Sequence, residues 1–262
     1  MIGLILGTSE GRNIVKLLNE FTANLLISTA TSYGGDILKE LKYKVLNTDP
    51  LDSIGLKQML IKHDVSVLVD ATHPYATLIT DNCKSVCEDL NILYLRYERP
   101  SVCDKYKNCE KVIYVSDYEE LVQKIKSIHE LQGEDSIILN TTGSRNINKL
   151  VTSDISNRIV HRVLPSVEVM KQCIELGVKV EDIVAIKGPI GYELNIGFIR
   201  QYNAKAMILK DSGILGGTKE KMQAALHENI YVFVIERRKE LLKNIYHSEE
   251  QLVNHIIKNN LY

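Results

Sequence analysis

The chain has 262 residues, of which 45% are hydrophobic and 25% charged, and its formal net charge is −1. This size and composition are those of a globular protein with one large or two modest domains. A net charge near zero provides no overall field that would attract nucleic acid or a membrane surface, so neither is expected as a partner. No apolar run reaches the roughly 18 residues that a membrane helix requires. The apolar stretch of residues 1–7 is too short for a signal peptide and lacks a basic leader.

The five cysteines are Cys83, Cys87, Cys103, Cys109 and Cys173. An odd and scattered set argues against a disulfide framework and favours the reducing cytoplasm. Cys83 and Cys87 would share a helix face and could both touch a metal, but no second Cys/His pair with matching spacing lies nearby. We therefore expect small packing residues here and predict no metal site.

Short runs rich in Val, Ile and Leu alternate with stretches of helical periodicity, which is typical of a parallel sheet covered by helices. The predicted strands are residues 2–6, 24–29, 65–70, 92–95, 111–115, 136–140, 158–163, 182–186, 206–210 and 231–236. The predicted helices are residues 12–20, 52–62, 78–89, 117–129, 166–176 and 219–228. The apolar content of the strands indicates burial on both faces. The sequence therefore predicts an α/β protein.

A polar, turn-rich stretch at residues 99–111 marks the expected domain boundary. We place an N-terminal domain at residues 1–100 and a C-terminal domain at residues 101–262. The strand and turn at residues 5–8 are echoed at residues 138–144, although the similarity is too weak to define a repeat. Two similar α/β lobes are therefore expected.

The first candidate site is a loop with the sequence Gly-Thr-Ser-Glu-Gly-Arg at residues 7–12. Its glycines allow a ligand to approach closely, and free N–H groups at the start of a helix attract anions. The loop lacks the complete G-x-G-x-x-G pattern, and the second predicted strand ends without an acid that could hold a ribose. A plain strand–helix turn is the alternative. The candidate cofactor-binding residues here are Gly7, Thr8, Ser9, Glu10 and Gly11.

The second candidate site has the sequence Asp-Ala-Thr-His-Pro-Tyr-Ala at residues 70–76, at the carboxyl end of a predicted strand. Ligands of open α/β sheets bind at this edge. Pro74 holds His73 in an extended conformation, and a histidine there can contact substrate or transfer a proton. A histidine that is satisfied within the fold is the alternative.

Arg96 and Arg99 follow the fourth predicted strand within the sequence Arg-Tyr-Glu-Arg-Pro. Each guanidinium could bind a carboxylate through two hydrogen bonds, which an ammonium group cannot match. Alternatively, the arginines pair with Glu98 and neighbouring acids in a surface cluster.

The richest segment is residues 210–219, with the sequence Lys-Asp-Ser-Gly-Ile-Leu-Gly-Gly-Thr-Lys. A glycine-rich loop that leads from a strand into a helix can surround a polyanion with N–H groups, while Lys210 and Lys219 neutralise its charge. The order of Thr218 and Lys219 differs from a Walker A loop, so ATP hydrolysis is not expected. A purely structural loop is the alternative. The candidate cofactor-binding residues here are Ser212, Gly213, Gly216 and Gly217.

Residues 187–195, with the sequence Lys-Gly-Pro-Ile-Gly-Tyr-Glu-Leu-Asn, also follow a predicted strand. They would face the same edge of the sheet as residues 210–219. A rigid Gly-Pro turn is the alternative.

Taken together, these segments resemble the precorrin-6A reductase family of cobalamin biosynthesis. The motifs that carry the resemblance are residues 7–12, 70–76, 96–100, 188–195 and 210–219. Their order and spacing cover nearly the whole chain. The chain departs from the family pattern at Leu6, where a glycine is usual, and at Arg237-Arg238, where Arg-Pro is common.

The resemblance implies two Rossmann-like domains with mainly parallel sheets, an exchanged strand, and an active-site cleft between the domains. It also implies reduction of a double bond in precorrin-6A, or in its cobalt form, with NADPH or NADH as cofactor. The substrate is a tetrapyrrole with many carboxylates. For this reaction we predict that His73, Tyr75 and Lys210 take part in catalysis, with solvent as the alternative proton donor, and that Thr72, Arg96, Arg99 and Lys219 bind the substrate.

Two other kinds of function stay open. A sugar-nucleotide epimerase or short-chain-type dehydrogenase normally needs a Tyr-x-x-x-Lys pair, which Tyr33, Tyr43 and Tyr75 do not provide. A dinucleotide sensor would not need two glycine-rich loops and an arginine pair. The lack of an acid after the second strand favours tolerance of a 2′-phosphate, although no arginine stands there to bind it. A monomer or weak homo-oligomer is expected, and whether the substrate carries cobalt is left open.

Overall fold

The computed structural model describes residues 1–7, 9–30, 34–35, 38–238 and 244–262. The described strands are β1 (Ile2–Leu6), β2 (Leu25–Thr29), β3 (Val45–Asn47), β4 (Val67–Ala71), β5 (Leu93–Tyr97), β6 (Val112–Val115), β7 (Ile138–Asn140), β8 (Ile159–Val163), β9 (Ile183–Ala185), β10 (Ala206–Lys210), β11 (Tyr231–Ile235) and β12 (Ile245–Tyr246). The described α-helices are α1 (Ser9–Leu18), α2 (Ser53–Lys62), α3 (Thr77–Leu90), α4 (Tyr118–Ser127), α5 (Ile147–Val151), α6 (Val167–Glu175), α7 (Tyr192–Gln201), α8 (Thr218–His227) and α9 (Glu249–Lys258). Every predicted strand and helix corresponds to one of these elements.

The chain forms two compact units. The first comprises residues 1–100 and 238–262, and the second comprises residues 101–237. Residues 238–262 were predicted to belong to the C-terminal domain, whereas the contacts group them with the N-terminal unit. The physical reason is that β12 pairs with β5 and that Leu252, in α9, packs into the core beneath β1.

The sheet of the first unit has the order β3-β2-β1-β4-β5-β12, and all its neighbours are parallel. This is the 3-2-1-4-5-6 order of a doubly wound nucleotide-binding fold, with β12 in the sixth position. The strand order reverses between β1 and β4, where Leu6 is aligned with Ala71. The loops that follow these two strands therefore start side by side.

The sheet of the second unit repeats this plan with the order β9-β8-β7-β10-β11-β6, again entirely parallel. Here β7 is the first strand of the winding, and β6, which comes before it in the chain, takes the sixth position. The order reverses between β7 and β10, where Asn140 is aligned with Ile208. In the chain, β6 directly follows β5 but belongs to the second sheet, and β12 follows β11 but belongs to the first sheet. The two sheets have thus exchanged their sixth strands.

The central strands β1, β2 and β4 of the first unit are buried along their whole length. Helices cover both faces of this sheet, as continuous apolar strands require. Cys83 and Cys87 lie on the α3 side of this core, where they are packing residues. Burial raises the pKa of both thiols, that of Cys87 to about 12. Within the described ranges, no helix is both long and apolar enough to cross a membrane.

Candidate functional site

The first candidate region lies at the carboxyl ends of β1 and β4. A Cβ atom added at Gly7 would lie 3.5 Å from both the backbone nitrogen of His73 and the Cα of Thr72, so the two loops are in contact there. At Gly11, an added Cβ would lie 2.9 Å from a Leu6 methyl carbon, so a larger residue would displace α1 from β1. The predicted site residue Thr8 lies outside the described residues, and Ser9 begins α1.

Asp70 organises the turn after β4 through a buried hydrogen-bond network. Its carboxylate accepts the Thr72 N–H at 2.9 Å, the Thr80 hydroxyl at 2.9 Å and the Tyr94 hydroxyl at 2.8 Å. Arg96 Nη1 completes the set at 2.6 Å. Burial, followed by the charge of Asp70, raises the pKa of Tyr94. A buried charge pair that is fully hydrogen-bonded holds its surroundings in one arrangement, and here it fixes the turn.

Two predicted substrate-binding residues, Thr72 and Arg96, belong to this network. The Arg96 side chain is 4% exposed and donates to the Thr72 hydroxyl oxygen at 2.9 Å as well as pairing with Asp70. The Thr72 oxygen also lies 3.3 Å from the hydroxyl of Thr80. Both side chains therefore already have internal partners, and we assign them to the framework of the site rather than to substrate contacts.

Arg99 and Glu10 form a second buried ion pair, with Nη2 and Oε2 2.7 Å apart. The Arg99 side chain is 8% exposed and that of Glu10 is 6% exposed. This pair joins the first turn of α1 to the segment that follows β5. The expected roles of Arg99 in substrate binding and Glu10 in cofactor binding do not fit this burial. The ion pairs described for the two arginines are with the buried Asp70 and Glu10.

His73 and Tyr75 remain partly exposed in this region. The Tyr75 N–H donates to His73 Nδ1 at 3.3 Å, and the two ring centroids are 5.7 Å apart. Because Nδ1 accepts this bond, the neutral imidazole carries its hydrogen on Nε2. The turn thus presents a partly exposed histidine in one tautomer.

The second candidate region lies at the carboxyl ends of β7 and β10, and Asp211 is its organising carboxylate. It accepts the Ser101 hydroxyl at 2.6 Å, the N–H groups of residues 102–103 at 3.1 Å and the Gly213 N–H at 3.2 Å. Arg237 lies 3.3 Å away. Burial alone would raise the pKa of Asp211, but the Ser101 hydroxyl, the Arg237 charge and the backbone N–H groups together hold it below its usual value.

The glycine-rich loop after β10 is held by its own hydrogen bonds. The Ser212 N–H donates to the Thr218 hydroxyl at 3.0 Å, and the Gly217 N–H donates to the Ile214 carbonyl at 2.9 Å. The N–H groups of Gly213 and Gly216 also have acceptors within the loop. The four residues predicted to bind cofactor through backbone N–H groups therefore use those groups internally.

Two N–H groups at the start of α8 are available instead. Those of Lys219 and Glu220 make no backbone hydrogen bond within the described residues. Gly217 precedes them with φ of +68°, and a Cβ there would lie 2.9 Å from the Pro189 Cβ, so only glycine fits. The helix start is thus held against the turn at residues 188–191, and its open N–H groups favour an anion.

Lys210 and Lys219 occupy different positions at this edge. Lys210 ends β10 and is partly buried, and its Nζ lies 3.4 Å from the Thr142 carbonyl oxygen, across the point where the strand order reverses. Burial and the neighbouring Arg145 lower the pKa of Lys210. Lys219 is exposed in the first turn of α8. Both predicted lysines therefore lie beside the glycine-rich loop.

Two cations of the second unit, Arg162 and Lys221, were not predicted as site residues from the sequence. Arg162 is the penultimate residue of β8, and its Nη1 donates to Asn195 Oδ1 at 2.9 Å. Lys221 lies in α8 and is 5% exposed. Burial lowers the pKa of Arg162 to about 10, and burial followed by the charge of Arg162 lowers that of Lys221 to about 7. The available signal was the position of Arg162 at the end of a predicted strand, and that of Lys221 two residues beyond Lys219.

Two parallel sheets of one winding order, each with polar loops where that order reverses, define a protein of the Rossmann-like, nucleotide-binding class. The predicted α/β fold with two such domains is confirmed. The family model described as Precorrin-6x reductase CbiJ/CobK matches residues 1–257, and the chain belongs to this family. The resemblance drawn from the sequence motifs is thereby confirmed as well. Members are reductases that need a reduced nucleotide cofactor, and the chain is an enzyme of this kind.

Curated relatives match nearly the whole chain. The cobalt-precorrin-6A reductase of Methanothermobacter thermautotrophicus is 31% identical over 255 residues, covering 96% of this chain and 82% of the relative. That of Methanocaldococcus jannaschii is 34% identical over 239 residues, covering 89% and 88%. A solved structure described as CobK precorrin-6A reductase has a TM-score of 0.74 at 16% identity, covering 98% of this chain and 96% of its own. At that identity the solved structure supports the fold alone.

Proposed function

We propose that this protein reduces one double bond of cobalt-precorrin-6A by hydride transfer from a reduced nicotinamide dinucleotide. The observation that carries the proposal is the family match over residues 1–257, which includes both sheets and the loops at both reversals of strand order. The function therefore rests on the whole two-domain arrangement rather than on one motif.

The names of the relatives support the cobalt-containing substrate. The relatives at 31% and 34% identity are both named for cobalt-precorrin-6A. A relative from Mycobacterium tuberculosis that is named for precorrin-6A is 28% identical over 234 residues. We therefore propose the cobalt form as the preferred substrate and the metal-free form as the poorer one.

The residues of the second unit fit a dinucleotide. The open N–H groups of Lys219 and Glu220 at the start of α8 would hold a phosphate, and Lys210 would contribute charge beside it. The Asp211 network keeps the connecting loop in place without ligand. When bound, the dinucleotide supplies the hydride, while the protein orients it and excludes water.

Reduction of a carbon–carbon double bond also requires a proton on the second carbon. We propose His73 as the group that donates or orients this proton, because it is partly exposed in the turn after β4 and its imidazolium form can donate a proton and return to neutral imidazole. Tyr75 then has a positioning role through its backbone. Lys219, which is exposed, is the proposed contact for a substrate carboxylate.

The test is an anaerobic assay of the purified protein with cobalt-precorrin-6A and with metal-free precorrin-6A, each with NADPH and with NADH. We expect coenzyme oxidation to accompany a product that is heavier by two hydrogen atoms, with the cobalt form reduced faster. A curated relative assayed in parallel verifies the substrates. If the relative is active and this protein oxidises neither coenzyme with either tetrapyrrole, the proposal is wrong.

The cellular setting is also a proposal. A reducing compartment such as the cytoplasm is supported by the five cysteines, all of which are free thiols in the structure. A monomer or weak homo-oligomer stays our prediction, which light scattering of the purified protein would test.

A further inference from the structure

Lys221 is a buried cation and Arg162 a partly buried one, and neither has an anionic partner among the described residues. Neither forms an ion pair with a carboxylate in the part of the chain that the structure describes, and the one side-chain hydrogen bond described for Arg162 goes to the neutral Asn195. By contrast, the buried Arg96 and Arg99 each have a carboxylate oxygen within 2.7 Å. A charge removed from water without a partner is costly, so such a pair of cations is typical of a site that receives an anion.

The nearby acids do not neutralise Lys221. Asp211 is engaged by Ser101, Arg237 and backbone N–H groups. Glu220 precedes Lys221 in α8 but does not pair with it, and its Oε2 is the one fully buried side-chain atom without a hydrogen-bond partner among the described residues. Cys103 also faces Lys221, and burial raises the pKa of its thiol to about 12, so it is neutral at pH 7.

The unused donors of both cations still reach accessible space. Among the described residues, neither Lys221 Nζ nor a nitrogen of Arg162 is both fully buried and without a hydrogen-bond partner. The unpaired nitrogens therefore keep some exposure to solvent. This combination of a buried stem and a reachable, unpaired head differs from a surface cation, which is merely solvated.

A chain of contacts connects the two cations to the start of α8. Asn195 accepts from Arg162, and its own Nδ2 donates to the Gly191 carbonyl at 2.8 Å. The turn that contains Gly191 packs against Gly217, which directly precedes α8, and Lys221 lies in the first turns of that helix. Arg162 is also the penultimate residue of the second strand of the winding order, near the end where doubly wound folds meet the ribose of a dinucleotide.

We propose that Arg162 and Lys221 form a subsite for an oxyanion of the ligand, which this placement identifies as a phosphate of the dinucleotide. The inference rests on the proposed function, because that function supplies the ligand. A carboxylate of the tetrapyrrole offers the same chemistry from a second source, and the experiment separates the two.

The subsite has a protonation signature. In the free protein the Lys221 amine has a pKa of about 7, because burial and then Arg162 lower it while Cys103, Asp211 and Glu220 act in the opposite direction. A bound oxyanion favours the ammonium form and raises this pKa. Binding should therefore take up close to one proton at pH 8, where the free amine is mostly neutral, and less at pH 6, where it is already charged.

The experiment is isothermal titration calorimetry of NADPH and NADH binding at pH 6 and pH 8, in buffers of different ionisation enthalpy. The proteins are the parent, Arg162→Gln, Lys221→Met, and the matched controls Arg200→Gln and Lys171→Met, which replace exposed cations on other helices. Removing a charged hydrogen-bond partner should weaken binding about tenfold or more. The controls should bind as the parent does, and Lys221→Met should lose the proton uptake.

The pattern of losses identifies the anion. A loss for NADPH alone assigns the 2′-phosphate, and an equal loss for both coenzymes assigns the shared diphosphate. If binding of both coenzymes is unchanged but the KM for cobalt-precorrin-6A rises, the anion is a tetrapyrrole carboxylate, and the assignment to a phosphate is overturned. Unchanged binding, KM and proton uptake overturn the subsite itself. If the parent protein binds neither coenzyme, the failure lies in the proposed function, and the KM comparison becomes the test of the subsite.

Thermal unfolding separates a binding role from a structural one. Since Lys221 is a buried amine without an anionic partner, Lys221→Met should keep or raise the Tm of the free protein while weakening ligand binding. A lowered Tm with unchanged binding would show that Lys221 serves the fold, which contradicts the proposal.

Discussion

In the first unit, the arginines at the carboxyl edge of the sheet meet carboxylates of the same unit, Arg96 at 2.6 Å from Asp70 and Arg99 at 2.7 Å from Glu10. In the second unit, the equivalent edge holds Arg162 and Lys221, for which no carboxylate partner is described. Both sheets have the same winding order, so this difference does not come from topology. Under the proposed function, the first region neutralises its own charges and forms a rigid framework. The second region pairs Arg237 with Asp211 but leaves Arg162 and Lys221 for a ligand.

The largest expected effect comes from breaking the buried ion pair between Arg96 and Asp70 in the first unit. Arg96→Met leaves Asp70 buried with an uncompensated charge, which should cost about 3–5 kcal/mol of unfolding free energy. Arg162→Met removes an arginine that has no such partner and should change stability little. Urea unfolding of both variants measures the contrast, and hydrogen exchange should locate the Arg96→Met effect in β4 and β5. Equal destabilisation by both changes would remove the distinction between the two regions.

A double variant sharpens that test. Asp70→Asn with Arg96→Met removes both charges and should recover part of the loss, since the cost arises from the unpaired carboxylate. If the double variant is less stable than Arg96→Met alone, the network acts mainly through its hydrogen bonds to Thr80 and Tyr94.

The next effect concerns whether the first region takes part in the reaction. His73→Gln keeps a polar side chain but cannot donate a proton as imidazole does, and we expect a loss of about 100-fold in the single-turnover rate. The dissociation constant for coenzyme should stay unchanged. His63→Gln, at the end of α2, is the matched control. A rate and pH profile equal to those of the parent would show that His73 does not take part in the proton transfer.

Asp211 gives a pH-dependent prediction for the second unit. Its pKa in the folded protein lies below the ordinary value of 3.8, so its stabilising contribution is present above that value and is lost as the pH falls through the folded-state pKa. Asp211→Asn should lower the unfolding free energy at pH 7 by about 2 kcal/mol. The deficit relative to the parent should shrink below about pH 4. A deficit that is constant across this range would mean that the charge of Asp211 does not contribute.

The sequence was informative about elements and much less so about partners. The ten predicted strands could be found because continuous Val, Ile and Leu content marks strands buried on both faces. Within the described residues, β3 and β12 were missed, since three and two residues are too few to show a pattern. The short α5 was missed for the same reason, and α7 because Gly197 interrupts its apolar spacing; α9 carries a Ser248 cap and was overlooked.

The roles of the arginines depend on strand register, which the sequence did not supply. Asp70 and Arg96 are direct neighbours across β4 and β5, so their pairing follows from an alignment known only in the folded protein. Arg162 was missed for a different reason. An arginine near the end of a second strand was expected only in the first unit, after Thr29, whereas the second unit has its own second strand, β8, with Arg162 as its penultimate residue.

The smallest effect tests the proposed place of the dinucleotide without using Arg162 or Lys221. Lys210 lies across the reversal of strand order in the second unit, and its amine contacts the Thr142 carbonyl. Lys210→Met should weaken coenzyme binding about tenfold, because a charge-assisted contact is lost, with little change in Tm. Titration of NADPH and NADH by fluorescence measures the affinity, and Lys171→Met is the control. If Lys210→Met lowers the Tm and leaves both affinities unchanged, Lys210 stabilises the folded protein through its contact with Thr142 and does not bind the coenzyme.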